Sequence, residues 1–94
     1  MRLTVFGMGY LGLTHAVCMA ELGHEVLGVE VDHDKVAKLA NGEVPFYEPG
    51  LAALLKKHLE SGLLRITTSY QDAADWGALY FIAVGTPQKK GESA

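Results

Sequence analysis

The sequence has 94 residues, 49% of them hydrophobic and 20% charged, with a formal net charge of -3. That length allows one small domain of marginal stability, burying roughly 60 to 65% of the surface its unfolded chain exposes. The composition is that of a folded globular chain and excludes disorder, and the negative balance excludes a broad basic surface, hence nucleic acid as the main partner. The apolar runs are too short to span a bilayer, and the N-terminus enters a strand without a basic segment or cleavage site, so the expected location is cytoplasmic, with no membrane partner. One cysteine forms no internal disulfide, in keeping with a reducing compartment.

In chain order, Leu3 to Phe6 is a short apolar strand that breaks into Gly7, Gly9 and Gly12. A helix follows from Tyr10 to Leu22, with Leu13, Val17 and Ala20 on one face and Gly23 as its stop. Glu25 to Val29 is a second strand, nearly continuous in apolar residues apart from Gly28, as a parallel strand covered on both faces should be. Asp32 or Asp34 caps a second helix over His33 to Asn41, with Val36 and Leu39 inward. The loop GEVPFYEPG leads to a third helix, Leu51 to Ser61. Its Leu51, Leu54, Leu55 and Leu59 form a stripe opposite Lys56, Lys57 and Glu60. Leu64 to Thr67 is a third strand, and Ser69-x-x-Asp72 resembles a capping box opening a brief helical turn. Leu79 to Val84 is a fourth strand, apolar throughout and so expected in the middle of a sheet. The tail after Gly85-Thr86-Pro87 has no pattern.

These elements predict an α/β fold, a Rossmann-type parallel sheet with helices on both faces and strand order 3-2-1-4, incomplete because two strands of the doubly wound form are not supplied. The glycine spacing G-x-G-x-x-G gives each glycine a task. Gly7 turns the chain off the strand end, Gly9 leaves room for a pyrophosphate at the backbone, and Gly12 lets helix and strand approach. The N–H groups of the first helical turn face that pyrophosphate. At the end of the second strand, the carboxylate of Glu30 is placed to accept hydrogen bonds from an adenosine ribose. The competing reading is a glycine-rich turn that binds nothing.

Four stretches, FGMGYLGL, ELGHEVLGVEVD, YEPGL and FIAVGTP, together resemble the N-terminal NAD-binding domain of the UDP-glucose/GDP-mannose dehydrogenases, over almost the whole chain. The glycine motif is shared with many dehydrogenases, including those of 6-phosphogluconate and 3-hydroxyacyl-CoA, whereas YEPGL followed by VGTP is far more specific. The resemblance implies a homo-oligomeric enzyme that oxidises the C6 hydroxyl of a nucleotide-sugar to a carboxylate with two NAD+, through a thioester on a cysteine. UDP-glucose is the first expected substrate and GDP-mannose the second. It assigns Gly7, Gly9, Tyr10, Leu11 and Gly12 to the pyrophosphate turn, Glu30 and Lys35 to the ribose region, and Thr86 to the cofactor beside the fourth strand. The family more often carries aspartate where this chain has Glu30, which extends the carboxylate by one methylene. Bland readings stand beside some of these: a solvated lysine for Lys35 and a turn hydroxyl for Thr86; Tyr47 and Glu48 either shape the loop near the cofactor or, the better reading, only anchor it.

His15-x-x-Cys18 puts two ligand types on one helical face, but no second pair completes a metal site. Cys18 is expected to be a small buried hydrophobe in a helix packed on the sheet, and the catalytic cysteine that the family implies belongs to a later domain. His24, His33 and His58 are expected near helix ends or on a solvated face. The 94 residues are thus expected to be a truncated NAD-binding domain without catalytic residues, preferring NAD to NADP because Glu30 repels a 2′-phosphate. A non-catalytic NAD-sensing module is the alternative.

Overall fold

A computed structural model describes residues 1–44 and 48–83. Four strands and four helices alternate as β1 (Arg2–Phe6), α1 (Tyr10–Glu21), β2 (Glu25–Val29), α2 (His33–Ala40), α3 (Leu51–Ser61), β3 (Leu64–Thr67), α4 (Tyr70–Trp76) and β4 (Leu79–Ile82). The strands form one sheet in the order β3-β2-β1-β4, every pair parallel. Register is set on β1, where Leu3 lies beside Val26 on one side and Leu79 on the other. Fold class and strand order are therefore as the sequence predicts.

Because side chains alternate across a strand, the two faces of the sheet are separate cores. One face joins Leu3, Val5 and Val26 to Leu13, Ala16, Val17 and Ala20 of α1, Leu39 of α2 and Leu51 and Leu55 of α3. The other joins Leu27 and Val29 to Ala73 of α4, with Phe6 and Trp76 against them. Thr4 is fully buried on β1, and its hydroxyl donates to the carbonyl of Ala73 at 2.9 Å, so α4 is fastened by a hydrogen bond as well as by packing.

Local chemistry explains the element ends. The Asp32 carboxylate accepts from the N–H groups of Asp34 and Lys35 and opens α2, which settles the choice between Asp32 and Asp34. Ser69 accepts from the N–H of Asp72 and opens α4. Gly28 has a packing reason: a Cβ there would lie 2.6 Å from the sulfur of Met8, a fully buried side chain that fills the space beside β2.

Two expectations change. Cys18 is exposed, because α1 buries Gly12, Leu13, Ala16, Val17 and Ala20, and the residue after Val17 is turned about 100° away from that stripe. His58 is buried at 3% exposure, since it follows Leu51 and Leu55 at i+7 and i+3 and shares their inward face. β4 is the edge strand among the described residues, as the order 3-2-1-4 of an incomplete sheet implies, with Leu79, Tyr80 and Ile82 exposed. The ladder continues past it through the Ala83 N–H, which donates to the Phe6 carbonyl at 2.8 Å; Val84 lies outside the described residues.

Candidate functional site

The C-terminal ends of β1, β2 and β4 lie side by side, and the chain changes direction across the sheet between β3 and β4, on either side of the β2–β1 pair. In an open parallel sheet that edge is where ligands are held. β1 leaves it through Gly7, whose φ of 97° is one that only glycine adopts readily, and the Gly7 N–H donates to the Val29 carbonyl at 2.9 Å, tying the turn to β2. Gly12 is required by contact: a Cβ there would sit 1.8 Å from the Gly7 carbonyl oxygen.

Gly9 differs from both. Its φ of −75° and ψ of −162° suit any residue, and a Cβ built on it meets nothing within 4 Å. Nothing inside the described fold requires glycine at this position. The space over Gly9 opens onto the start of α1, whose N-cap makes no side-chain hydrogen bond and whose first turn has no acidic residue. By contrast, Asp32 caps α2 and Ser69 caps α4. The open N-terminus of α1, with its positive dipole end, is suited to an anion. Tyr10 and Leu11, beside the glycines, keep their side chains largely exposed.

Glu30, directly after β2, closes the site on the other side. One of its carboxylate oxygens, Oε1, accepts from the N–H of Met8 at 3.1 Å, and Oε2 accepts from the N–H of Asp32 at 3.2 Å. Met8 lies between Gly7 and Gly9, so this carboxylate is bonded into the glycine turn itself. Lys35 Nζ stands 3.8 Å from Glu30 Oε1. Each carboxylate oxygen retains acceptor capacity beyond its one backbone bond.

A further contact joins two distant motifs. Glu48 reaches the Tyr10 hydroxyl; its negative charge, then its hydrogen bond, then burial hold that hydroxyl's pKa above the usual tyrosine value. The Glu48 carbonyl accepts from the Leu51 N–H at 3.1 Å, so the same residue is built into the start of α3. Sequence reasoning offers Glu48 as shaping the loop near the cofactor or as a loop anchor, but no local spacing connects it to Tyr10. Gly7, Gly9, Tyr10, Leu11, Gly12, Glu30 and Lys35 are thus gathered at one edge of the sheet. Thr86 and Tyr47 lie outside the described residues.

A sequence profile of the UDP-glucose/GDP-mannose dehydrogenase family, NAD binding domain, matches residues 1–94. The chain belongs to that family. It is 47% identical over 87 residues to a UDP-glucose 6-dehydrogenase of Pseudomonas aeruginosa, covering 93% of this chain and 19% of that protein. It is 44% identical over 90 residues to a GDP-mannose 6-dehydrogenase of Pseudomonas syringae pv. syringae, covering 96% of this chain and 20% of that one. Among solved structures, a ternary complex of GDP-mannose dehydrogenase from Pseudomonas aeruginosa superposes with a TM-score of 0.89 at 43% identity, over 96% of this chain and 21% of the other. A UDP-glucose dehydrogenase from Pyrobaculum islandicum gives 0.86 at 44% identity, over 92% and 20%. The chain spans about a fifth of the length of these relatives.

NAD is the cofactor of this family's domain, and the residues present fit it: an open glycine at an uncapped helix start, beside a carboxylate fixed at the end of β2. The remaining titratable groups lie elsewhere. His58 Nε2 donates to Glu21 Oε1 at 2.6 Å, at the opposite end of α1 from Gly9, and Lys57 joins the same carboxylate at 3.2 Å. His15 stacks on Phe81, with ring centroids 3.8 Å apart. Among the described residues no group of three or more His, Cys, Asp and Glu side chains could hold a metal ion, and no helix is long and apolar enough to cross a membrane.

Proposed function

We propose that this chain holds NAD+ for a nucleotide-sugar 6-dehydrogenase that oxidises UDP-glucose at C6 to UDP-glucuronate, with GDP-mannose as the competing substrate. The observation that carries the reading is Gly9: its missing side chain opens no room for the described fold itself, only for something that approaches the α1 N-terminus. In this reading the N–H groups around Gly7, Gly9, Tyr10, Leu11 and Gly12 bind the pyrophosphate, Glu30 accepts from the adenosine ribose, and Lys35 holds Glu30 in place. Thr86, outside the described residues, is assigned to the cofactor by the family resemblance alone.

When bound, NAD+ supplies the hydride acceptor. Alcohol to acid is a four-electron oxidation, so two hydrides leave C6 to two NAD+ and water supplies the second oxygen. The aldehyde from the first oxidation would add a cysteine thiol as a thiohemiacetal, whose oxidation would leave a thioester on the enzyme that water cleaves to the carboxylate and the free thiol. Cys18 is a poor candidate for that nucleophile, being an exposed residue beyond the second turn of α1 with no base bonded to it among the described residues. We therefore assign residues 1–94 to the NAD-binding domain and place the nucleophile outside them. The single cysteine supports a cytoplasmic location, and the exposed β4 edge supports a homo-oligomer.

The test is NADH formation by the protein from its whole reading frame, with UDP-glucose and GDP-mannose supplied separately. Two NADH per UDP-glucose and little from GDP-mannose is the expected result; the reverse preference would overturn the assignment of the sugar.

A further inference from the structure

We propose that Met8 and Gly28 are a buried pair of positioning residues that sets the choice between NAD and NADP, by holding the Glu30 carboxylate where the adenosine ribose would meet it. This rests on the NAD reading above and adds to it a determinant beneath the glycine turn. Met8 lies in that turn, between Gly7 and Gly9, yet its side chain is fully buried in the core with Leu3, Val26 and Leu13. Its thioether lies across Gly28: a Cβ there would be 2.6 Å from the sulfur and 2.7 Å from the terminal methyl. Positions two apart on an extended chain share a face, so Gly28 and Glu30 lie on the same side of β2. Met8 grips that side twice, with its side chain over Gly28 and with its N–H on Glu30 Oε1 at 3.1 Å. Between the two points, the Gly7 N–H donates to the Val29 carbonyl at 2.9 Å. The root of Glu30 is fixed as well, because its own N–H donates to the Thr67 carbonyl at 2.9 Å.

A glutamate side chain has one more rotatable bond than aspartate and loses more freedom when its carboxylate is fixed. Holding it in advance spares the ligand that cost, and keeps the charge facing the place a 2′-phosphate would take. The Met8 N–H gives the carboxylate its direction; Lys35, 3.8 Å from the same oxygen, adds charge from beyond hydrogen-bond distance. A backbone N–H has no freedom of its own, so its place depends on where the turn lies, and the turn lies where the thioether can pass over Gly28. Methionine, long and unbranched, fits flat against a glycine. A methyl at position 28 pushes the thioether off β2, and the turn carries the Met8 N–H away from Glu30 with it.

Calorimetry with NAD+ and with NADP+ on wild type, Gly28→Ala, Glu30→Ala and the two changes together tests this. Gly28→Ala should lower the preference for NAD+ over NADP+ by about 3- to 10-fold, whereas in the Glu30→Ala background it should leave the preference unchanged, because it acts through that carboxylate. Met8→Leu keeps about the volume of the side chain but has no unbranched thioether to lay over Gly28. It should lower the preference in the same direction, and it carries the test if Gly28→Ala does not fold. A merely structural role for the pair would lower Tm and leave the ratio of the two affinities as in wild type, which would overturn the proposal. An equal change of ratio with and without Glu30 would overturn it too. A wild type that bound neither cofactor would overturn the NAD reading along with this proposal, whereas an unaltered ratio in variants of a wild type that binds NAD+ would remove this proposal alone.

Discussion

The N–H of Met8, in the middle of the glycine turn, donates to Glu30 Oε1 at 3.1 Å, so the acidic end of β2 and the turn that leaves β1 are a single hydrogen-bonded unit. The longer side chain of glutamate, compared with the aspartate more usual in this family, thus finds a fixed place, with 12% of its side chain exposed.

Cofactor preference follows from that placement. A 2′-phosphate would arrive against a carboxylate that cannot swing away without releasing both Met8 and Asp32, and the nearby cation Lys35 is already paired with it at 3.8 Å. NAD+ is expected to bind at least about 10-fold more tightly than NADP+, and Glu30→Ala to narrow the difference. Calorimetry with both cofactors checks this; tighter NADP+ binding would mean that Lys35 outweighs Glu30.

Gly12→Ala should damage the fold itself. The added methyl would sit 1.8 Å from the Gly7 carbonyl and 3.2 Å from the Ala83 side chain, so turn and helix must separate. Overpacking of this kind costs about 1–3 kcal/mol or more, which for a domain of this size lowers Tm by about 4–8 °C per kcal/mol. A melt unchanged from wild type would show that the turn gives way freely.

Acid stability should depend on Glu21. Its bond to buried His58, followed by its bond to Lys57, holds the carboxyl below its ordinary 4.5 despite the opposing effect of desolvation. A carboxyl whose folded pKa is depressed adds stability in full above its unfolded value, and that stability is lost as pH falls through the folded value. Wild type should therefore lose Tm more steeply than Glu21→Gln as pH drops below about 4.5, and parallel Tm profiles would contradict the pairing.

Much of this was legible in the sequence because its causes are local. Asp32 and Ser69 cap the helices that follow them, and the apolar runs pair in the order that right-handed crossovers dictate. What was not legible depends on partners from distant elements. His58 is expected near a helix end or on a solvated face, although its spacing from Leu51 and Leu55 places it inward; its acid lies on α1. The Tyr10–Glu48 bond joins two motifs that each read sensibly alone. Cys18 is expected in the core because its helix packs on the sheet, yet it lies off the buried stripe of Leu13, Ala16, Val17 and Ala20.

That correction has its own test. An exposed Cys18 should react with a thiol reagent in the native protein as fast as in the unfolded one, within about 10-fold, and Cys18→Ser should leave NADH formation nearly intact. A thiol silent until denaturation would return Cys18 to the core.

The central claim, that the glycine turn exists to receive a dinucleotide, is tested most directly by NAD+ calorimetry on wild type and Gly9→Ala, with thermal melts alongside. The backbone at Gly9 accepts alanine and its Cβ meets nothing within 4 Å, so the melt should be unchanged while NAD+ affinity falls about 10-fold or more. Equal NAD+ binding by wild type and a folded Gly9→Ala would contradict it, because the open space at Gly9 would then have no part in holding the cofactor.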